Sequence, residues 1–254
     1  IVNDNGGTVH AERSPLQLMK AIKNETEIKG TIAAHIRDGA ALTRFIAAIS
    51  KQGAAAKFDE ISASDLLEKI RAEGENFRGL SFDTISGAGG NGAIVHYRST
   101  PRTNKPLTAG PIYLVDSGAQ YLDGTTDVTR TLCVDNVTPE MRDHVTRVLK
   151  GHIQVAMSIF PEGTTGDKLD VKARAALKEV GLDYAHGTGH GVGSYLSVHE
   201  GPCGISPRST TVPLLPGMVI SNEPGYYKEG AYGIRIENLV TVIDTGKKDA
   251  DGKS

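Results

Sequence analysis

Two histidines, His186 and His190, stand four residues apart in the stretch HGTGHGVG. On a helix that spacing would put both imidazoles on one face, where they could share a metal ion. The stretch is a poor helix, however. A glycine fills every second position from Gly187 to Gly193, and each would cost a helix roughly 1 kcal/mol relative to alanine. In an extended strand or loop, side chains alternate with a period of two, so the same even spacing again places both histidines on one face. The missing side chains would then let backbone or substrate approach closely.

Carboxylates recur in comparable settings. Asp116 ends the apolar run IYLV, and Asp127 follows the turn DGTT. Aspartate in DSG or DGT is also an ordinary turn residue, so this pair alone has a bland explanation. Glu223 comes after GMVISN and Glu237 after GIRI. Glutamate suits neither turns nor strands, and an acid at the end of a buried strand is costly unless it meets a cation. Arg235 lies two residues before Glu237 and would share its strand face, so an ion pair explains Glu237 by itself. It leaves the other three acids unexplained. Four carboxylates with His190 make an oxygen-rich donor set, suited to Mn²⁺ before Zn²⁺. Two ions roughly 3.5–4 Å apart would use all of it and could activate a water between them.

The elements that must carry these residues read as an α+β pattern. IVNDNGGTVHAERSP is polar and turn-rich, a linker or the edge of another domain. From about Asn24 a helix is expected, capped by Asn or Thr, with acids in its first turn. Its apolar stripe would be Ile28, Ile32, Ala33, Ile36, Leu42, Phe45 and Ile46, and its stop Gly53. A shorter helix follows in SASDLLEKIRAEG, capped by Ser62 or Ser64 and stopped at Gly74. Strands are expected in FRGLSFDTISGAGGNGAIVHYRST and GPIYLVDSGAQYLDGTTDVTRTLCV. Two further helices, one with Pro139 in its first turn and one ending at Gly181, lead to short strands in GMVISNEPGYY and GIRIENLVTVI. The order suggests two similar halves. The polar end, DTGKKDADGKS, reads as a surface loop.

Composition narrows the partners. The 28 basic and 30 acidic residues leave a net charge of -2 over 254 residues, which gives no electrostatic reason to expect nucleic acid or an anionic membrane. No apolar run approaches the roughly 20 residues that cross a bilayer. Cys133 and Cys203 form neither a CxxC pair nor a disulfide framework, as fits a reducing, cytoplasmic compartment.

In order, LVDSGAQYLDGTTDVTRT, HGTGHGVGSYLSVHEGP, SNEPGYY and GIRIENLV closely resemble the Xaa-Pro aminopeptidases (aminopeptidase P). These are metallopeptidases of the pita-bread fold, which also houses methionine aminopeptidase, prolidase and creatinase. The resemblance runs from about Lys23 to Ile243, and SFDTISGAGGNGAIVHY points to the larger three-domain form. It implies two pseudo-symmetric halves with a curved, mainly antiparallel sheet covered by helices. It also implies a linker over 1–22 from a preceding N-terminal domain, a catalytic domain over 23–254, and a C-terminal tail beyond.

Carried over by position, the resemblance implies two divalent ions, Mn²⁺ before Zn²⁺ or Co²⁺, held by Asp116, Asp127, His190, Glu223 and Glu237. Asp127 and Glu237 would bridge the ions, with Asp116 on one and His190 and Glu223 on the other. His96 and His199 match substrate-side histidines that aid proton transfer and stabilise the scissile carbonyl. His186 matches a pocket histidine, Arg235 a residue orienting Glu237 and the site water, and Tyr227 a weaker hydrogen-bonding candidate. The implied reaction is removal of the residue before a proline by a metal-bridging water, with Glu223 as proton shuttle. The proline ring, lacking an N–H, would be read by shape, in a pocket expected to use the histidines and apolar residues around Tyr195. The implied partners are peptides with an Xaa-Pro N-terminus and, in the full-length protein, a second copy. Prolidase or methionine aminopeptidase activity, or a non-catalytic binding protein on the same fold, are the rivals. His10, His35, His144 and His152 read as solvated or packing residues.

Overall fold

The computed structural model describes residues 1–12, 14–51 and 55–246. Three helices come first: α1 (Pro15–Ala21), α2 (Glu25–Ser50) and α3 (Glu60–Ala72). Helix α1 lies in the stretch read from sequence as a linker. Proline at its first position suits the helical φ, and its last residue, Ala21, is buried beside Met218. Its other apolar side chains, Leu16, Leu18 and Met19, face outward, so the stretch carries little helical patterning.

Asn24 caps α2 as expected. Its side chain accepts the Glu27 N–H while the Glu27 carboxylate accepts the Asn24 N–H, a reciprocal box that satisfies two end donors. Gly53, the expected stop, lies outside the described residues. The expected apolar stripe is only half right. Leu42 and Phe45 are buried, but Ile32 and Ile36 are exposed, and the inward face instead carries Ala34, Asp38, Ala41 and Ile49. Close packing explains the shift. A Cβ on Gly30 would sit 2.3 Å from the Asp123 carbonyl oxygen, so small residues must face that hairpin. Asp38 is held inside by bidentate bonds from Arg71 (2.8 and 2.9 Å) and by the Tyr121 hydroxyl (2.9 Å), which compensates the buried charge. The cap of α3 is also corrected: Asp59 accepts from the Ser62 N–H, and Ser62 returns the bond from the third helical position.

Six strands follow: β1 (Phe77–Leu80), β2 (Ile85–Ala88), β3 (Ile112–Ser117), β4 (Ala119–Tyr121), β5 (Gly124–Thr125) and β6 (Val128–Cys133). Helices α4 (Pro139–Ala156) and α5 (Gly166–Lys178) open the second half. That half closes with β7 (Gly189–His190), β8 (Gly204–Ile205), β9 (Val219–Asn222), β10 (Gly225–Lys228), β11 (Tyr232–Arg235) and β12 (Asn238–Thr241). Every strand pairing among the described residues is antiparallel. The expected curved sheet appears as five hydrogen-bonded pieces, β1-β4-β5, β2-β3-β6, β7-β8, β9-β12 and β10-β11. A bridge between Gly191 and Ile220 joins β7 to β9. The Glu237 N–H donates to Thr129 O (3.2 Å), so β6 of the first half meets the second half directly.

Helices cover this sheet on the outside. Phe45, Ile49, Leu67 and Ile70 from α2 and α3 pack on Tyr113 and Val115, while Val148 and Leu177 from α4 and α5 pack with Ile112, Tyr232 and Ile234. Strand β3 is buried over its whole length, so it lies at the centre between the two helix layers. None of the described helices is long and apolar enough to cross a membrane.

Candidate metal centre

Each carboxylate reaches the site from a different strand end. Asp116 is the fifth residue of β3 and pairs across the ladder with Thr129 of β6. Asp127 precedes β6, immediately after the β4–β5 hairpin. Glu223 follows β9, its N–H donating to Thr188 O (2.8 Å). Glu237 follows β11 after Ile236, and its Oε2 accepts from the Thr129 hydroxyl (2.7 Å).

HGTGHGVG is not helical: it bends at His186 and Thr188 and pairs as a strand over Gly189–His190. A Cβ on Gly189 would lie 1.8 Å from Ser221 O, and one on Gly191 would lie 2.0 Å from Glu200 O; only glycine allows chains to cross at this range. His190 N–H donates to the Ser221 hydroxyl (2.9 Å), which in turn donates to Glu223 Oε1 (3.1 Å). Helix α5 supports the strand from behind. Arg174, bonded to Asp170 (2.7 Å), donates to the carbonyls of Tyr184 (2.5 Å) and His186 (2.7 Å). The Thr188 hydroxyl donates to Asp170 (2.7 Å).

All five acidic or imidazole candidates line one cleft of about 490 Å³, together with His96, His186, His199 and Arg235. Potential ligand atoms of Asp127, His190 and Glu237 all lie within 4.8 Å of one another. Glu223 joins them through His190, with 3.3 Å between Oε1 and Nε2, while Asp127 Oδ2 stands 3.5 Å from the same nitrogen. Asp116 is turned toward Arg235, whose Nη2 donates to Oδ2 at 2.7 Å. Its Oδ1 is buried without a partner.

The electrostatics are those of acids held together against their preference. Burial, with repulsion from Asp116, pushes Asp127 up to about 6. Burial likewise lifts Glu223 to about 7. Glu237, 1% exposed, is raised by burial and then by Asp127, Glu223 and Asp116. Burial works against the charged form of His190, but Asp127 and Glu223 outweigh it and raise its pKa. Four carboxylates, three of them buried and Glu223 partly so, against one guanidinium and one imidazole leave excess negative charge, and a buried acceptor oxygen of Asp116 lacks a donor. A divalent cation satisfies both conditions, and the O-rich donor set with one imidazole fits Mn²⁺ or a borderline ion.

Two expectations need correction. Arg235 was expected to orient Glu237 and offered as its ion-pair partner. The ion pair is made with Asp116 instead, and Nη1 donates to Tyr227 Oη (2.7 Å); Arg235 reaches Glu237 only through Thr129, whose hydroxyl accepts from Nε (3.3 Å) and donates to Glu237 Oε2 (2.7 Å). The apolar residues around Tyr195 are expected from sequence to line the pocket, but Tyr195 and Leu196 are exposed and absent from the cleft wall. The left-handed residues Leu196 and Ser197 (φ 62° and 52°) carry that loop outward. The apolar wall is supplied by Phe82, Ile85 and Val95.

The histidines differ in setting. His199 packs its ring against His190, with centroids 4.2 Å apart, and burial and the neighbouring His190 lower its pKa. His96 sits on a cleft-facing turn. His186 contacts Gly187 O through Nδ1 (2.8 Å) and Tyr227 Oη through Nε2 (2.8 Å). An arginine only donates, so the Tyr227 oxygen accepts from Arg235 and its hydrogen points to His186 Nε2. That assigns His186 as the neutral Nδ1–H tautomer, in line with burial pushing its pKa down to about 4. His35, His144 and His152 are packing residues, bonded to Thr31 O, Tyr232 Oη and Asn222 O, and His10 is exposed. Thr129 and Ser221 escaped the sequence reading. Thr129 lies two residues after Asp127 in a strand pattern, a same-face signal that could have found it.

The chain matches the model of metallopeptidase family M24 over residues 29–244. It is 52% identical over 245 residues to a probable Xaa-Pro aminopeptidase P of Botryotinia fuckeliana, covering 95% of this chain and 38% of that protein. A protein of the same description from Tuber melanosporum is 54% identical over 233 residues (91% and 38%). The chain thus spans about two fifths of these relatives' length. Among solved structures, the X-prolyl aminopeptidase of Caenorhabditis elegans, described as a cytosolic enzyme with a di-nuclear active site, superposes with a TM-score of 0.89 at 43% identity, covering 97% of this chain and 40% of that one. A prolidase of Thermococcus sibiricus gives 0.80 at 30% identity (90% and 59%). The matched span contains both halves and each residue of the cleft, so this chain, with its pita-bread fold, belongs to metallopeptidase family M24.

Proposed function

We propose that this domain removes the N-terminal residue from peptides with proline in second position, in a metal-dependent hydrolysis. The observation that carries this reading is the convergence of Asp116, Asp127, His190, Glu223 and Glu237 with three further histidines on one cleft, in a chain about half identical to Xaa-Pro aminopeptidases. Bound there, two divalent ions, Mn²⁺ before Zn²⁺ or Co²⁺, would acidify a water and polarise the scissile carbonyl. Asp116, Asp127, His190, Glu223 and Glu237 would hold them.

The remaining steps fall to the chain's own side chains. Water oxygen attacks the carbonyl carbon of the first residue, and the bond to the proline nitrogen breaks. Glu223 takes the water proton at its carboxylate and returns it to that nitrogen, which leaves as a secondary amine. His96 and His199 donate to the carbonyl oxygen as negative charge develops there. His186 accepts from Tyr227 and walls the pocket. Phe82, Ile85 and Val95 offer a surface for a ring with no N–H to donate. Arg235 fixes Asp116. Likeness to the nematode enzyme, described as cytosolic, and two free cysteines support a cytoplasmic site of action.

Three peptides test the reading in the presence of Mn²⁺: an Xaa-Pro dipeptide, a longer Xaa-Pro peptide and a Met-Ala peptide. Cleavage of the longer Xaa-Pro peptide is expected to lead. Preference for the dipeptide would assign a prolidase, preference for Met-Ala a methionine aminopeptidase, and no cleavage with fewer than one ion bound per chain a binding protein.

A further inference from the structure

Glu60, the first residue of α3, is fully buried and does not line the cleft. Four donors from one connected segment nevertheless converge on its carboxylate. Oε1 accepts the Ala88 N–H (2.7 Å) and the Asn91 side-chain amide (2.9 Å). Oε2 accepts the Tyr97 hydroxyl (2.8 Å) and the Lys105 N–H (3.1 Å). The segment from 88 to 105 is therefore gathered around a single side chain. An ionised carboxylate has the acceptor sites to do this, whereas an amide would turn N–H groups toward N–H donors.

His96 lies on this segment. The Tyr97 N–H donates to Ile94 O (3.0 Å), closing a turn with Val95 and His96 at its two central positions. Val95, His96, Tyr97 and Arg98 all line the cleft, but Tyr97, 5% exposed, sends its hydroxyl back to Glu60. Thr103 O accepts from Asn91 (3.0 Å), and the Thr103 hydroxyl lies 3.1 Å from the Tyr97 oxygen, tying the far end of the segment to the same point.

We propose that Glu60 and Tyr97 are positioning residues that hold the 94–97 turn so that His96 faces the reacting carbonyl. The proposal rests on the aminopeptidase reading above. It assigns a role in turnover to a buried acid away from the cleft and to the tyrosine hydroxyl bonded to it, and it explains a buried acid with no ion-pair partner among its hydrogen-bond contacts.

The test is a set of variants in the intact, Mn²⁺-loaded protein: Tyr97→Phe, Glu60→Gln, His96→Ala and the double variant Tyr97→Phe/His96→Ala. Tyr97→Phe keeps the ring packing and removes only the hydroxyl. It is expected to lower kcat by about tenfold, the scale of a small misplacement of a reacting group, with bound metal and melting temperature near the wild type. Glu60→Gln is expected to lower kcat further. If the turn acts through His96, the double variant is no slower than His96→Ala, because the two changes affect one group. Tyr97→Phe with wild-type kcat, or losses that simply multiply in the double variant, would overturn the positioning role. A reduced melting temperature with unchanged kcat per folded molecule would also overturn it. Wild-type protein that fails to cleave Xaa-Pro peptides would overturn the functional reading and this inference together, so that control separates the two failures.

Discussion

Arg235 on β11 and Asp116 on β3 form a 2.7 Å ion pair across the two halves of the fold, both largely buried. The guanidinium uses its other arm on the Tyr227 hydroxyl, so Asp116 presents Oδ1 to the cleft in one orientation. A lysine has a single ammonium and cannot hold both partners in that geometry. Arg235→Lys is therefore expected to weaken metal binding about 10–100-fold, the usual effect of losing a residue that orients a ligand. Calorimetric titration with Mn²⁺ checks this, and wild-type affinity would show that Asp116 needs no such support.

Asp127 is the acid that faces both His190 and Glu237. Asp127→Asn keeps its size and removes its charge. Turnover of an Xaa-Pro peptide is expected to vanish at saturating Mn²⁺, with little change in the circular dichroism spectrum. Retained turnover would rule out a role for this carboxylate in holding two ions.

The acids also make stability depend on pH. Asp127 rises from 3.8 to about 6 and Glu223 from 4.5 to about 7 in the folded protein without metal. The native state then keeps protons that the unfolded chain has already released. The stabilisation these groups contribute is complete below about pH 4 and is lost as pH climbs through 6 and 7. A bound cation removes this dependence. The gap in melting temperature between Mn²⁺-loaded and chelated protein should widen by several degrees from pH 5 to pH 8, at roughly 2–4 °C per kcal/mol for a chain of this size. A constant or shrinking gap would mean that the carboxylates are not the source of the strain. Using the difference cancels other titrations, such as that of His186.

Arg174 offers a test away from the cleft floor. It joins Asp170 to the carbonyls of Tyr184 and His186. Arg174→Met would strand a buried acid and two carbonyls, so a loss of about 3–5 kcal/mol is expected in urea unfolding. A loss under 1 kcal/mol would show that the β7 approach is held by the Thr188 contact instead.

Much of the site was legible because strand chemistry is local. Asp116, Glu223 and Glu237 each come at the end of an apolar strand and Asp127 after a turn, and alternating glycines ruled out a helix around His190. Residues whose meaning depends on distant partners were not legible. Nothing near Arg235 in sequence says that it would choose Asp116 over Glu237, since that choice follows from where β3 and β11 cross. Ile32 and Ile36 matched the helical period of α2, but the close approach at Gly30 turned its small residues inward. Asp59 was passed over as a cap because Ser62 and Ser64 fit the motif equally well. Glu60, with its four donors collected from a segment beginning 28 residues later, left no local trace at all.

The division of the cleft between the halves bears on how the chain can fold during synthesis. Asp116 and Asp127 emerge well before His190, Glu223, Arg235 and Glu237. Until β7 is made the first half has no imidazole for Asp127, and until β11 is made it has no guanidinium for Asp116. Closing β3 and β6 at that stage would enclose bare acids. The stable order is a late, concerted docking in which the last-made strands bring both the counter-charge and the remaining donors, so completion of the centre and completion of the fold are one event.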